Sequence, residues 1–119
     1  MRRRRILIVE DDPMVALDLE AIVLGATDAD VAVANSVKEA SRALSEAEFD
    51  AALLDIDVLD GKTFPVAHLL AECGTPFAFV SGARREEVPL PLRQAPFLPK
   101  PYDPQDIERT FLAGLASRG

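Results

Sequence analysis

Four apolar runs of this chain each end in side chains that can take part in chemistry. In chain order, these side chains are Glu10, Asp11 and Asp12 after the first run, Asp55 after the second, Ser81 after the third and Lys100 after the fourth. If the runs are parallel strands of one sheet, their carboxyl ends lie along one edge. Carboxylates, a hydroxyl and an ammonium group would then meet in one pocket, and that set suits a divalent cation together with a phosphoryl group.

The apolar runs are typical of strands covered on both faces, because their residues are nearly all apolar rather than alternating. We predict strands near residues 5–9, 30–34, 50–54, 76–80 and 95–98. Helix-like segments separate them, which favours an α/β fold with a flavodoxin-like, doubly wound, five-stranded parallel sheet of order 2-1-3-4-5. In that order, ligands bind beyond the carboxyl ends of the first and third strands, which is where the acidic residues stand.

Capping signals mark the first two helices. Asp12 can cap a helix that begins at Pro13, since proline has no N–H to leave unpaired there. The apolar residues of this helix recur at helical spacing at Met14, Leu17, Ala21 and Leu24. We expect Gly25 to close it. Ser36 and Glu39 form a capping-box pattern for the second helix.

In the second half of the chain, we predict two regular helices with an irregular connection between them. A third helix is expected from about residue 63 to 74, and a last helix after Asp103 with Ile107, Phe111 and Leu115 facing inward. Between them, residues 83–95 (the proline-rich segment) contain Pro89 and Pro91, and Pro96 follows directly. Proline clashes with the preceding helical turn, so the fourth connecting helix should be short or missing, with at most a turn or two.

Composition limits the class of protein. The 119 residues fit one domain, residues 1–119, and the single Cys73 excludes an internal disulfide. No apolar stretch approaches the ~20 residues of a membrane span, so we expect no membrane segment and a cytoplasmic protein. The formal charge of -7 argues against a surface that binds nucleic acid. Residues 2–5 are all arginine. We interpret them as a solvated lead-in to the first strand, with a patch that binds nucleic acid or an acidic partner as the alternative.

Charge also predicts a metal in the pocket. Packed carboxylates repel one another unless a cation lies among them, and oxygen ligands favour Mg²⁺. A phosphoryl group on Asp55 would add negative charge, which Lys100 and the Ser81 hydroxyl could offset.

With these residues in place, the chain resembles a response-regulator receiver domain of two-component signalling, over essentially its whole length. The motifs that carry the resemblance are residues 6–13, Leu53-Leu54-Asp55, Asp60-Gly61, Val80-Ser81-Gly82 and Lys100-Pro101-Tyr102. The resemblance implies a signalling domain rather than an enzyme, in which Asp55 accepts phosphate from the phosphohistidine of a histidine kinase or a histidine phosphotransfer protein. It implies output through a downstream protein partner, no DNA-binding domain, and a monomer or weak dimer.

The resemblance also assigns roles to residues. Asp11 and Asp55 would bind Mg²⁺ directly, Glu10 would help through water, and the backbone carbonyl of Asp57 would complete the protein ligands. Lys100 would pair with the acidic pocket through a loop whose Lys–Pro bond is usually cis. The switch residues would be the hydroxyl of Ser81 and the aromatic ring of Phe97.

Two departures from the family pattern point to an unusual output. The loop from Asp55 to Gly61 lacks the usual proline before Asp60-Gly61, and the proline-rich segment replaces the fourth helix. The chain is therefore similar to an atypical stand-alone subgroup with Pro-Phe-x-Phe before the hydroxyl.

Two other functions stay open from the residues alone. Asp55-Ile56-Asp57 is similar to the Asp-x-Asp motif of haloacid-dehalogenase-like phosphatases, in which Asp55 would attack phosphate and Asp57 would act as general acid. A pseudo-receiver, which binds a partner without phosphorylation, is the other alternative.

Overall fold

The strands of the computed structural model agree closely with the predicted runs. The model describes residues 3–118, with side chains up to residue 116; Arg2 of the arginine run and the outermost residues of the predicted domain lie outside it. In chain order the strands are β1 (Arg4–Val9), β2 (Ala29–Ala34), β3 (Ala51–Leu54), β4 (Asp57–Val58), β5 (Gly61–Lys62), β6 (Phe77–Ser81) and β7 (Phe97–Pro99).

Within residues 3–118, five of these strands form one parallel sheet in the order β2-β1-β3-β6-β7. This order is the predicted 2-1-3-4-5 arrangement, numbered over the five main strands. The short strands β4 and β5 were not predicted, and they pair with each other as an antiparallel hairpin directly after β3.

Helices cover both faces of the sheet. They are α1 (Pro13–Ala26), α2 (Val37–Glu46), α3 (Phe64–Glu72) and α4 (Pro104–Arg118). Helices α1 and α4 contribute to the core on one face, and α2 and α3 to the core on the other. As predicted, Ile107, Phe111 and Leu115 of α4 face inward. Each fully buried Leu, Ile or Phe side chain stabilises the fold by roughly 1.5–3 kcal/mol.

The apolar residues whose spacing indicated α1 are not the ones that it buries. The residues at the predicted spacing, Met14, Leu17, Ala21 and Leu24, are all exposed, and Met14 is 73% exposed. The residues buried against the sheet are Ala16, Leu19 and Val23. Gly25 does not close the helix, which continues to Ala26 and ends with Thr27 as its cap.

The helix caps largely confirm the predictions. The Asp12 carboxylate accepts hydrogen bonds from the first turn of α1, and the Asp103 carboxylate does the same for α4. Ser36 Oγ accepts a bond from the Glu39 N–H at 3.0 Å. The Glu39 carboxylate, however, accepts from the Asn35 N–H at 3.0 Å rather than from Ser36, so the capping box is displaced by one residue.

The proline-rich segment contains two single turns of 3₁₀ helix, Arg85–Glu87 and Leu90–Leu92, which confirms that the fourth connecting helix is missing. Val88 and Leu92 are buried and anchor the segment to the core. The Arg93 guanidinium donates hydrogen bonds to the Val88 carbonyl and to a carbonyl of the first turn, both at 2.8 Å. In a regular helix, backbone N–H groups would donate hydrogen bonds to such carbonyls. Here the Arg93 side chain donates them instead.

Among the described residues, no helix combines the length and apolar character that a membrane crossing requires.

Candidate functional site

The sheet brings the acidic strand ends together. Val9 of β1 is in register with Leu54 of β3, so the residues that follow them, Glu10 and Asp55, leave the sheet side by side. The Asp55 N–H donates to the Val9 carbonyl at 2.8 Å, which extends the ladder by one residue. Glu10 and Asp55 are 2% and 9% exposed. Two carboxylates therefore lie in the pocket that the topology predicts.

Lys100 joins these two carboxylates. Its Nζ donates to Glu10 Oε1 at 2.6 Å and to Asp55 Oδ2 at 3.1 Å. The Lys100 N–H donates to the Ser81 carbonyl at 3.0 Å, and the Lys100–Pro101 peptide bond is cis. Burial alone would lower the pKa of Lys100, but its bonds to Glu10 and Asp55 outweigh burial and raise that pKa. The lysine is therefore a cation at neutral pH.

An acidic cluster lies beside this cation. One carboxylate oxygen from each of Glu10, Asp11 and Asp55 lies within 4.8 Å of the others. Burial raises the pKa of Glu10, although its hydrogen bonds with Lys100 and the Asp12 N–H oppose the increase. Oxygen donors at this spacing fit a hard divalent cation such as Mg²⁺. The cluster does not include the side chain of Asp57, and its backbone carbonyl as a ligand stays a prediction.

The Ser81 hydroxyl faces the loop that follows Asp55. Ser81 is buried at the end of β6, and its Oγ accepts a hydrogen bond from the Ala83 N–H at 3.1 Å. The Ile56 N–H lies 3.5 Å from the same oxygen. The structure thus places the predicted hydroxyl between the loop that follows Asp55 and the start of the proline-rich segment.

Thr63 positions Asp55, and the sequence reasoning missed it. Its Oγ1 donates to the Asp55 carbonyl at 2.6 Å, and its N–H donates to the Ile56 carbonyl at 2.8 Å. Thr63 is fully buried. Its hydroxyl makes no cap for α3, although a Thr immediately before a helix is ordinarily read as a cap. These two bonds hold the end of the β4–β5 hairpin against the residues that follow β3.

Asp60, at the tip of this hairpin, caps a different helix. Its carboxylate accepts hydrogen bonds from the Val37 and Lys38 N–H groups at 2.6 and 3.1 Å, at the start of α2. These backbone bonds, led by that of Val37, hold the pKa of Asp60 below its usual value. Hydrogen bonds therefore hold the hairpin after Asp55 at its base, through Thr63, and at its tip, through Asp60.

Asp57 and Phe97 are placed near the site in different ways. The Asp57 carboxylate pairs with Lys62 Nζ at 2.5 Å, and the same lysine lies 3.2 Å from Glu87. Phe97 is half-buried and packs against the core under the proline-rich segment, beside Val88. A switch role for Phe97 stays a prediction.

Tyr102 lies on the loop that follows Lys100. Its hydroxyl donates a hydrogen bond to the carboxylate of Asp18 on α1. Burial, followed by the hydrogen bond with Asp18, raises the pKa of Tyr102 above its usual value. The loop that carries Lys100 is therefore attached to the helix that follows the acidic cluster.

A doubly wound parallel sheet with acids and a lysine at its carboxyl edge defines a flavodoxin-like α/β domain of the receiver type. No family model matches the sequence. The chain is 34% identical over 124 aligned positions to the phyllosphere-induced regulator PhyR of Methylorubrum extorquens, an alignment that covers 92% of this chain. The chain spans only 43% of the length of that curated relative.

Solved structures show the same fold. The non-phosphorylated HemR receiver domain of Leptospira biflexa superposes with a TM-score of 0.78 at 25% identity, covering 96% of this chain and 95% of that one. The response regulator PhyR of Brucella abortus gives a TM-score of 0.79 at 24% identity, covering 98% of this chain and 49% of that one. The chain belongs to the response-regulator receiver domains, which are signalling domains.

Proposed function

We propose that this domain accepts a phosphoryl group on Asp55 from a histidine kinase or a histidine phosphotransfer protein, with Mg²⁺, and signals to a protein partner. The observation that carries this proposal is the position of Lys100 Nζ, which is hydrogen-bonded to both Glu10 and Asp55 beside the acidic cluster. Such a site offers a nucleophilic carboxylate, a cation for the incoming charge and oxygen donors for a metal.

In the proposed reaction, an Asp55 carboxylate oxygen attacks the phosphorus of a phosphohistidine. A P–O bond to Asp55 forms as the P–N bond breaks, and the electron pair of that bond stays on the departing imidazole nitrogen. The transferred group keeps its negative oxygens, and Lys100 stabilises them by charge. The Ile56 N–H donates a hydrogen bond to the Asp55 carboxylate, and the Thr63 hydroxyl donates one to the Asp55 carbonyl. The attacking carboxylate is therefore already oriented when the phosphodonor binds.

Mg²⁺ would be held by the carboxylates of Asp11 and Asp55, by Glu10 through water, and by the backbone carbonyl of Asp57. When bound, it would neutralise negative charge on the phosphoryl oxygens. Ser81 would move its hydroxyl towards the phosphoryl group, and Phe97 would follow beneath the proline-rich segment. We expect the partner to bind the surface formed by that segment and to distinguish the two arrangements of these side chains.

A phosphatase role has less support. In that alternative Asp57 acts as general acid, yet its carboxylate pairs with Lys62 at 2.5 Å and is not part of the acidic cluster. A single, stable label on each chain would support the phosphoacceptor, whereas repeated turnover of a phosphate ester would support the phosphatase.

The first test is chemical labelling. With acetyl phosphate and Mg²⁺, we expect intact-mass spectrometry to detect one added phosphoryl group per chain, lost on treatment with hydroxylamine. Asp55→Asn removes the nucleophile and should abolish the label, whereas the matched control Asp57→Asn should retain it. Equal labelling of Asp55→Asn and wild type would refute the assignment. A complete lack of label, even with the cognate kinase, would favour the pseudo-receiver.

A further inference from the structure

We propose that Lys62 is a positioning residue that prolongs the life of the aspartyl phosphate by holding the Asp57 carboxylate away from the water that would hydrolyse it. This inference rests on the proposed function. It assigns a role to a side chain that lies outside the acidic cluster and is not part of any motif of the sequence.

The first support is the geometry of Lys62. Its Nζ lies 2.5 Å from Asp57 Oδ1 and 3.2 Å from Glu87 Oε1. Asp57 follows the phosphoacceptor by two residues, and Glu87 lies in the proline-rich segment that follows Ser81. One ammonium group therefore connects the two chain segments that leave the pocket.

The second support is that both ends of this bridge are fixed. Lys62 immediately precedes Thr63, whose side chain and N–H are bonded to the carbonyls of Asp55 and Ile56. On the other side, Glu87 Oε2 accepts the Arg84 N–H at 3.0 Å, which leaves Oε1 directed at Lys62. The chain next to Lys62 is therefore fixed through Thr63, and the ammonium group of Lys62 faces an oriented carboxylate.

The third support is charge. The Lys62 ammonium group carries a positive charge and pairs with the carboxylates of both Asp57 and Glu87. Without Lys62, Asp57 would be an unpaired carboxylate on the loop that begins at Asp55. An unpaired carboxylate in that position can accept a proton from a water molecule.

The step that Lys62 opposes is hydrolysis. The oxygen of water forms a bond to phosphorus, and the P–O bond to Asp55 breaks, its electron pair remaining on the Asp55 carboxylate. Asp57 would take one proton from the attacking water and return it to the departing phosphate, so inorganic phosphate leaves with both protons. A carboxylate paired with Lys62 is withheld from this transfer.

The test is the half-life of the label after the phosphodonor is removed by gel filtration, with Mg²⁺ present throughout. Lys62→Met keeps the aliphatic stem and removes the charge, and we expect the half-life to fall about tenfold, less than the ~100-fold that a fully positioned general base contributes. Lys62→Arg keeps a cation and should retain a half-life near that of wild type. The matched control Lys38→Met removes an exposed lysine of α2 and should behave as wild type.

The double variant Lys62→Met with Asp57→Asn separates this role from a merely structural one. If Lys62 acts by restraining Asp57, the double variant should regain the half-life of Asp57→Asn alone. An unchanged half-life in Lys62→Met, or a double variant that decays as fast as Lys62→Met, would overturn the role of Lys62 and leave the phosphoacceptor intact. If wild type takes no label, the proposed function fails and this role fails with it.

Discussion

Lys100 lies between two carboxylates, and its contribution to stability should depend on pH. Because the pKa of Lys100 is raised on folding, its stabilising contribution is present below its ordinary value of 10.5 and is lost as pH rises through the folded value. Lys100→Met should destabilise the domain by about 1–3 kcal/mol near neutral pH, less than the ~3–5 for a fully buried pair, because the lysine is 24% exposed.

Denaturant unfolding at several pH values would check this expectation for Lys100→Met. The wild type should lose stability above pH 10.5 more steeply than the variant, since only the wild type has this lysine to deprotonate. In acid the difference between them should shrink, because the pKa of Glu10 is raised and that carboxyl takes up a proton early. A difference that is constant across pH would contradict the pairing.

Most residues of the site could be predicted from the sequence, but Thr63 could not. Glu10, Asp55, Ser81 and Lys100 each end an apolar run, so parallel pairing alone brings them to one edge of the sheet. Thr63 could not be found this way, because its bond to Asp55 depends on a hairpin of two-residue strands. Such strands carry no periodic pattern that a sequence analysis can detect.

Among the elements, α1 shows the limit of periodicity. Its 14 residues, PMVALDLEAIVLGA, are apolar on nearly every side, so helical spacing establishes the helix but does not choose its inward face. Packing against the sheet made that choice, and it buried Leu19 rather than Leu17. By contrast, the proline-rich segment was predicted correctly, because the effect of proline is local and steric.

The proline-rich segment should depend on its anchors rather than on helix formation. Leu92 is 3% exposed and Leu90 is 74% exposed, although they are two residues apart in the same turn. Leu92→Ala should therefore destabilise the domain by about 2–4 kcal/mol, whereas the matched control Leu90→Ala should stay within about 0.5 kcal/mol of wild type. Chemical denaturation measures both values. Equal effects would mean that the segment is not anchored to the core.

At the scale of the whole molecule, the sheet topology imposes electrostatic repulsion on the acidic cluster. The sheet forces Glu10, Asp11 and Asp55 together, and like charges held together oppose folding unless a cation joins them. Core packing on both faces of the sheet supplies the stability that permits this arrangement.

Mg²⁺ should consequently stabilise the domain as a whole. At a concentration 100-fold above its Kd, mass action predicts a gain of about 2.7 kcal/mol, visible as a higher Tm that EDTA reverses. Asp11→Asn removes one carboxylate, so it should melt at a higher temperature than wild type without metal and gain less when Mg²⁺ is added. A Tm that does not respond to Mg²⁺ in wild type would contradict the assigned ligands.

The contact between Tyr102 and Asp18 has a practical consequence. The chain contains one tyrosine and no tryptophan, so its tyrosine emission comes from that single ring without energy transfer to an indole. The ring belongs to the loop that carries Lys100, and its hydroxyl is held by a carboxylate on α1. The protein therefore contains its own fluorescent reporter two residues from the lysine of the pocket, and events there can be followed without a label.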